Sequence, residues 1–163
     1  MQTTPKDKIL CYEKRGWWSN ETLISILNAN LKENPDQEAL IDPPNRSSMV
    51  GGEVQRLSFR EIDRLSDKLA HILYDLGLRQ GDKAVVQMPN VVEIVLTYFA
   101  AGKLGLVLSP VAMQYRRFEL TYIDETLLPK AYIAFEDFSS DNYGRANSEC
   151  FRKECQSIIL DGG

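Results

Sequence analysis

QMPNVVEIVLTYFAAGKLGLVLSPV, residues 87–111, is the stretch on which the fold turns. An apolar run ending at Met88 meets the turn pair Pro89-Asn90, a long apolar segment to Leu104 follows, and Leu106 to Pro110 is apolar again. The spacing predicts a helix over Asn90–Leu104, with Asn90 as its cap and Glu93 in its first turn. Val91, Ile94, Val95, Tyr98 and Phe99 form a face that can cover a sheet, while Gly102 and Gly105 let helix and strand backbones approach closely and turn. Strand, helix and strand in this order make a β-α-β unit, here without a glycine-rich phosphate loop.

The same pattern extends downstream. Lys83–Met88 reads as a strand, Arg116–Leu127 as a helix, Ala131–Phe135 as a strand, Arg145–Glu154 as a helix and Ser157–Leu160 as a strand. Short apolar strands alternating with helices predict right-handed crossovers and a parallel sheet covered on both faces. Upstream of residue 80 the style differs. Glu21–Leu31 places Leu23, Ile24, Ile26, Leu27 and Leu31 on one helical face, and Asn34-Pro35 stops it. Ala39–Ile41 and Val54–Phe59 read as an antiparallel hairpin around a loop rich in Pro, Ser and Gly. Ser58-Phe59-Arg60-Glu61 matches a capping box, opening a helix striped with Ile62, Leu65, Leu69, Ile72, Leu73 and Leu76 that closes at Gly77.

The expected fold class is therefore α/β: an N-terminal helix and β-hairpin over residues 1–80, then β-α-β units over 81–163 forming a mostly parallel sheet covered by helices. With 163 residues, 44% of them hydrophobic, the chain can bury one sizeable core. A net charge of -4, with its Lys and Arg spread along the chain, excludes a basic nucleic-acid footprint. Cys11, Cys150 and Cys155 fit neither a redox pair nor zinc spacing, so reduced thiols and a cytoplasmic location are expected. Met1–Lys8 lacks the apolar region of a secretory signal, and Asn90–Leu104 is too short to span a bilayer.

Most motif candidates read as ordinary structure. Gly77-Leu78-Arg79-Gln80-Gly81-Asp82-Lys83 is a residue short of a phosphate loop, lacks the following Ser or Thr, and runs from helix to strand; it reads as a helix-ending turn. The pairs Asp124-Glu125 and Glu136-Asp137 read as solvated surface rather than acid and base. His71, the one histidine, lies off the helical stripe with no acid or nucleophile placed beside it, and reads as structural or solvent-facing. Asp161-Gly162-Gly163 begins the kind of loop that follows a sheet strand and carries ligand contacts. A natural domain rarely ends where such a loop begins, so the chain is expected to be an incomplete piece of a larger domain.

Several stretches together resemble the N-terminal part of the adenylate-forming superfamily, which activates carboxylic acids with ATP. LSFREIDRLSDKLAHILYDLGLRQGDKAVVQMPN, residues 57–90, is similar to that family's helix start, long amphipathic helix, glycine-aspartate turn and strand. AAGKLGLVLSPV, residues 100–111, is similar to its next core motif, a helix ending in glycine and a strand leading to proline. YEKRGWWSNETL (12–23), VVQMPN (85–90) and YRRFELTYI (115–123) lean toward aryl-acid AMP ligases of the dihydroxybenzoate-activating type, or a related CoA ligase. The resemblance covers residues 12–160. Leu106 and Ser109 depart from the residues often found there, and Asp137–Ser148 has no match.

The resemblance implies a ligase that uses ATP and Mg²⁺ to form an acyl- or aryl-adenylate, then passes the acyl group to a thiol of CoA or of a carrier protein's phosphopantetheine. It also implies that the phosphate loop, acid pocket, ribose-binding aspartate and C-terminal lysine lie beyond the position of Gly163. The isolated chain is therefore expected to be inactive, with no catalytic residue, no metal ligand and no bound cofactor. Arg145, in YGRAN, lies near where CoA-using relatives place arginines against the CoA phosphates; by itself it reads as a surface arginine. The rival reading is a non-catalytic α/β interaction or relic module, a well-folded monomer or homodimer that binds a partner protein.

Overall fold

The structure, a computed structural model, describes residues 4–139 and 141–161. Helix α1 (Lys6–Lys14) leads through a turn at Gly16 to α2 (Leu23–Glu33), which Thr22 and Ser25 start with a reciprocal cap. Strand β1 (Glu38–Ile41) pairs antiparallel with β2 (Arg56–Ser58), as expected, and the loop between them holds a short helix, α3 (Arg46–Met49). Then come α4 (Phe59–Asp75), β3 (Lys83–Gln87), α5 (Val92–Leu104), β4 (Val107–Pro110), α6 (Arg117–Leu127) and β5 (Ala131–Phe135). A small ribbon, β6 (Asp137–Phe138) with β7 (Asp141–Asn142), a short helix α7 (Gly144–Ser148) and β8 (Gln156–Leu160) complete it.

The central sheet has the order β4-β3-β5-β8 and every pairing in it is parallel. Its strands read as continuous apolar runs because both faces are covered. Ala84, Val86, Ala131, Ile133 and Phe135 share one core with Leu73 and Leu78 and with Val91 and Ala100 of the α5 region. Their alternates Val85, Tyr132 and Ala134 meet Leu120 of α6, Phe151 and Cys155. The Tyr132 and Phe151 rings stack at 4.5 Å between centroids. Burial in this second core pushes the Cys155 thiol up to about 11, with the nearby Asp124 charge adding to it.

The capping box of α4 forms as expected. Glu61 N-H donates to Ser58 Oγ at 3.3 Å, and Ser58 N-H donates to Glu61 Oε2 at 2.8 Å. That backbone hydrogen bond holds the Glu61 carboxyl below its ordinary range. Because the folded value is depressed, its contribution is present at neutral pH and is lost as acidification protonates the group. Ser58→Ala should lower stability by about 1 kcal/mol, a downward shift of about 2–4 °C in Tm. A thermal melt checks it, and an unchanged Tm would mean the cap contributes nothing.

Tertiary packing revises several helical faces. On α4 the buried line is Ile62, Ser66, Ala70 and Leu73, whereas Ile72 and Leu76 of the expected stripe are exposed. Small residues win that line because α5 packs closely there, and Lys103 of α5 bridges Asp63 and Asp67 of α4, both at 2.7 Å. On α2 only Leu27 is buried, while Leu23 and Ile26 face outward. Of the expected sheet-facing residues of α5, Val91 and Ile94 join the sheet core, and Phe99 turns to a third cluster with Leu27, Leu57 and Ile62. Gly102 serves a helix pair rather than a strand: a Cβ there would lie 3.2 Å from Ile24 Cδ1 of α2. Gly105, at φ +70°, makes the expected turn.

Two expected elements differ more. The predicted helix over Arg145–Glu154 is only Gly144–Ser148, followed by turns. Beyond it, Asp124 takes the backbone N-H of Arg152 at 3.2 Å and its Nε at 3.0 Å, so side-chain partners replace helical ones and aim Phe151 and Cys155 into the core. Asp124 is accordingly buried, contrary to the surface reading of the Asp124-Glu125 pair. Gly77–Lys83 is the expected turn, with Gly77 and Gly81 at positive φ. Lys130 closes it by donating to Asp82 Oδ2 and to Gly77 O, both at 2.8 Å, which draws the Asp82 carboxyl down.

Candidate functional site

The strand order itself marks a place for ligands. From β3 the chain crosses by α5 to β4, then by α6 past β3 to β5, with α5 and α6 on opposite faces of the sheet. Connections leaving in opposite directions open a crevice beyond the carboxyl ends of the strands, between β3 and β5. A cleft of about 460 Å³ lies at that end, walled by Met88-Pro89-Asn90 after β3, Val111–Gln114 after β4, Ile94 and Tyr98 of α5, and Phe138 of β6. The lining side chains are mostly apolar, with the amides of Asn90 and Gln114, the Tyr98 hydroxyl and main-chain groups adding polar surface, an arrangement for holding and shaping a group rather than for moving a proton.

Next to the cleft sits a fully buried amide, Gln87, at the end of β3. Its Nε2 donates to Ala112 O at 2.8 Å and to Tyr115 O at 3.1 Å, fixing the loop after β4. Its Oε1 accepts from the Tyr132 hydroxyl at 2.7 Å and from Asn147 Nδ2 at 3.1 Å, fixing α7. Burial pushes both Tyr132 and Tyr143 phenols up, so each stays neutral, and Tyr132 remains the donor to Gln87. Arg116 donates to the Tyr143 hydroxyl at 2.9 Å, and the Phe138 and Tyr143 rings meet edge to face.

The other wall is fixed by charge. Arg46 of α3, almost wholly buried, donates from Nη1 and Nη2 to the two oxygens of Glu93 at 2.8 and 2.7 Å, and from Nη1 to Asp42 Oδ2 at 3.0 Å. Asp42 Oδ1 accepts the N-H of Val92, the first residue of α5, at 2.8 Å. Helix α5 therefore starts after Val91, without a cap from Asn90, and its N-terminal N-H is satisfied by a carboxylate from the β1–β2 loop. Glu93 does not close a capping box; it grips Arg46.

Arg145 lies on α7 at this end of the sheet, exposed, with Nε 2.5 Å from Glu136 Oε1. His71 is exposed on α4, its Nδ1 2.8 Å from Asp67 O, and does not meet the cleft. The Asp161-Gly162-Gly163 loop lies, beyond Asp161, outside the described residues. Among the described residues no three His, Cys, Asp or Glu side chains come together to hold a metal ion. The described lining of the cleft, with neither a carboxylate nor a cation, does not fit Mg²⁺ and a nucleoside triphosphate. Nothing in the sequence reading singles out Gln87 or Arg46; the signals that could mark them are a polar residue closing an apolar strand and an Asp42-x-x-x-Arg46 spacing in a loop.

Residues 27–162 match the family of AMP-binding enzymes. The chain belongs to the AMP-binding enzyme family. Among curated relatives, pseudomonine synthase PmsE of Pseudomonas entomophila (strain L48) is 36% identical over 159 residues, 96% of this chain and 24% of that protein. Enterobactin synthase component E of Escherichia coli (strain K12) is 32% identical over 142 residues, 85% of this chain and 24% of that one. The 2,3-dihydroxybenzoate-AMP ligase of Bacillus subtilis (strain 168) is 30% identical over 139 residues, again 85% and 24%. The chain thus spans about a quarter of the length of these relatives. Among solved structures, apo MbtA of Mycobacterium smegmatis superposes with a TM-score of 0.71 at 28% identity, over 83% of this chain and 24% of that one. The N-terminal subdomain of Klebsiella oxytoca NpsA shares the fold, with a TM-score of 0.67 at 16% identity over 87% and 32%. The expected resemblance, with its leaning toward aryl-acid AMP ligases, and the parallel α/β fold are both borne out.

Proposed function

We propose that this chain is the N-terminal part of an ATP-dependent ligase that joins a carboxylic acid to AMP with release of pyrophosphate. The ligase then passes the acyl group to a thiol of CoA or of a carrier protein's phosphopantetheine. The family match over residues 27–162 carries this reading, supported by the AMP ligases among the relatives. On it, residues 1–80 supply the helix, hairpin and capped-helix portion, whose α2 and α4 pack on α5, and residues 81–163 form the strand-helix layer of the platform on which later segments hold ATP and Mg²⁺. The cytoplasm suits the three free thiols, and no helix among the described residues is long and apolar enough to cross a membrane. Arg145 is a candidate for a CoA phosphate only if it leaves Glu136, since the two are paired.

Acid-dependent exchange of labelled pyrophosphate into ATP tests the reading. The chain within its complete protein should catalyse exchange with an ortho-hydroxylated benzoate, the acid class in the name of the 2,3-dihydroxybenzoate-AMP ligase, or with an acyl acid. The isolated 163-residue chain should show none above the no-acid background. Exchange by the isolated chain would overturn the placing of the chemistry elsewhere. Silence of the complete protein with both acid classes would favour the non-catalytic module instead.

A further inference from the structure

We infer that Arg46 is a positioning residue, a clamp that sets one wall of the cleft by joining the β1–β2 loop to the start of α5. The wall residues Asn90 and Phe138 each stand beside an anchor that depends on this loop. On one side, Asp42 holds the Val92 N-H at 2.8 Å and the Gln55 N-H at 3.0 Å, while Arg46 grips Glu93 through both of its oxygens. On the other side, Met49 O, at the end of α3, accepts the Ser139 N-H at 2.8 Å, next to Phe138. One short helix thereby fastens the segments on both sides of the opening, and the guanidinium is its point of attachment.

Chemistry explains why an arginine is required. Asp42 and Glu93 both bond the same Nη1, so without the cation two carboxylates would face each other with no neutralising group between them. The planar fork spans both oxygens of Glu93 while still reaching Asp42, a geometry that a single ammonium does not reproduce. Stability alone is a poor reason for the arrangement, since an apolar replacement of similar volume often serves a buried ion pair's place equally well. What such a replacement cannot keep is the register of loop against helix. The inference concerns the chain itself and holds whether or not the cleft serves a ligase.

Amide hydrogen exchange on the purified chain tests it, comparing Arg46→Met and Arg46→Lys with the unaltered protein. In Arg46→Met the N-H groups of Val92, Gln55 and Ser139 should lose protection by about tenfold or more beyond any change at β3 and β5 amides such as Val85 and Ile133. Arg46→Lys, which keeps the charge without the fork, should recover part of that loss at Val92 and Gln55. Equal loss at core and anchor amides, or none at the anchors, would overturn the inference. Should Arg46→Met not fold, Glu93→Gln makes the same comparison with Val92 as the reporter, and unaltered protection there would also overturn it.

Discussion

Gly144→Ala should destabilise the chain by about 3 kcal/mol, the upper part of the range for forcing extra atoms into a packed interior. A Cβ on Gly144 would lie 2.2 Å from Phe135 O, 3.0 Å from Phe135 C and 3.2 Å from Ile159 Cδ1. The first two contacts are main chain in the central strand β5, paired on both sides to β3 and β8, and cannot swing aside as a side-chain tip would. Nor can α7 back away cheaply. The N-H groups of Tyr143 and Gly144 both donate to Glu136 O, at 2.8 and 2.9 Å, and Asn147 is tied to Gln87. Gly77→Ala supplies the control: Gly77 has a positive φ but open space around its missing Cβ, so the cost there should be only about 1 kcal/mol, a backbone term. Urea unfolding of the two variants gives the comparison, with m unchanged and the midpoint of Gly144→Ala clearly lower. A Gly144→Ala midpoint equal to or above that of Gly77→Ala would show that α7 does not stand hard against the end of β5.

The parts of this fold that sequence could reveal are those whose causes are local. Ala84–Val86 and Ala131–Phe135 announce strands buried on both faces, because no polar residue interrupts them. The capping box at Ser58 and Glu61 announces a helix start, because its partners are neighbours in the chain. Where the deciding partner is distant, local reading fails in a consistent way. Asn90 has the chemistry of a cap, yet Asp42 takes the N-terminal N-H of α5 from across the loop. Arg46 looks like one of many dispersed cations until Glu93 folds onto it. The expected helix from Arg145 to Glu154 has helical propensity, but Asp124 offers Arg152 better partners than a further helical turn does. The candidate cleft was legible only through strand order, which a single sequence leaves open until the β4-β3-β5-β8 arrangement is known.

Gln87→Leu should cost about 3 kcal/mol while leaving the sheet intact, because it removes a buried junction rather than a core volume. Leucine fills similar space, so cavity formation contributes little, and the loss comes from groups stranded without partners. Not every group is stranded equally. Ala112 O keeps the Tyr115 N-H at 3.1 Å and Tyr115 O keeps Arg116 Nη1 at 2.9 Å, whereas the buried Tyr132 hydroxyl loses the acceptor to which it donates at 2.7 Å. Most of the penalty should therefore be borne at Tyr132 and Asn147. Tyr132→Phe alone should cost about 1 kcal/mol, and in the double variant the two costs should fall well short of adding, because phenylalanine strands nothing beside leucine. Strict additivity in a double-mutant cycle would show that the two side chains act independently. The physical consequence reaches beyond stability. Gln87 bonds both the loop after β4 and α7, so its removal should free Val111–Gln114, one wall of the cleft, for cleavage by a protease while the β3 and β5 amides stay protected.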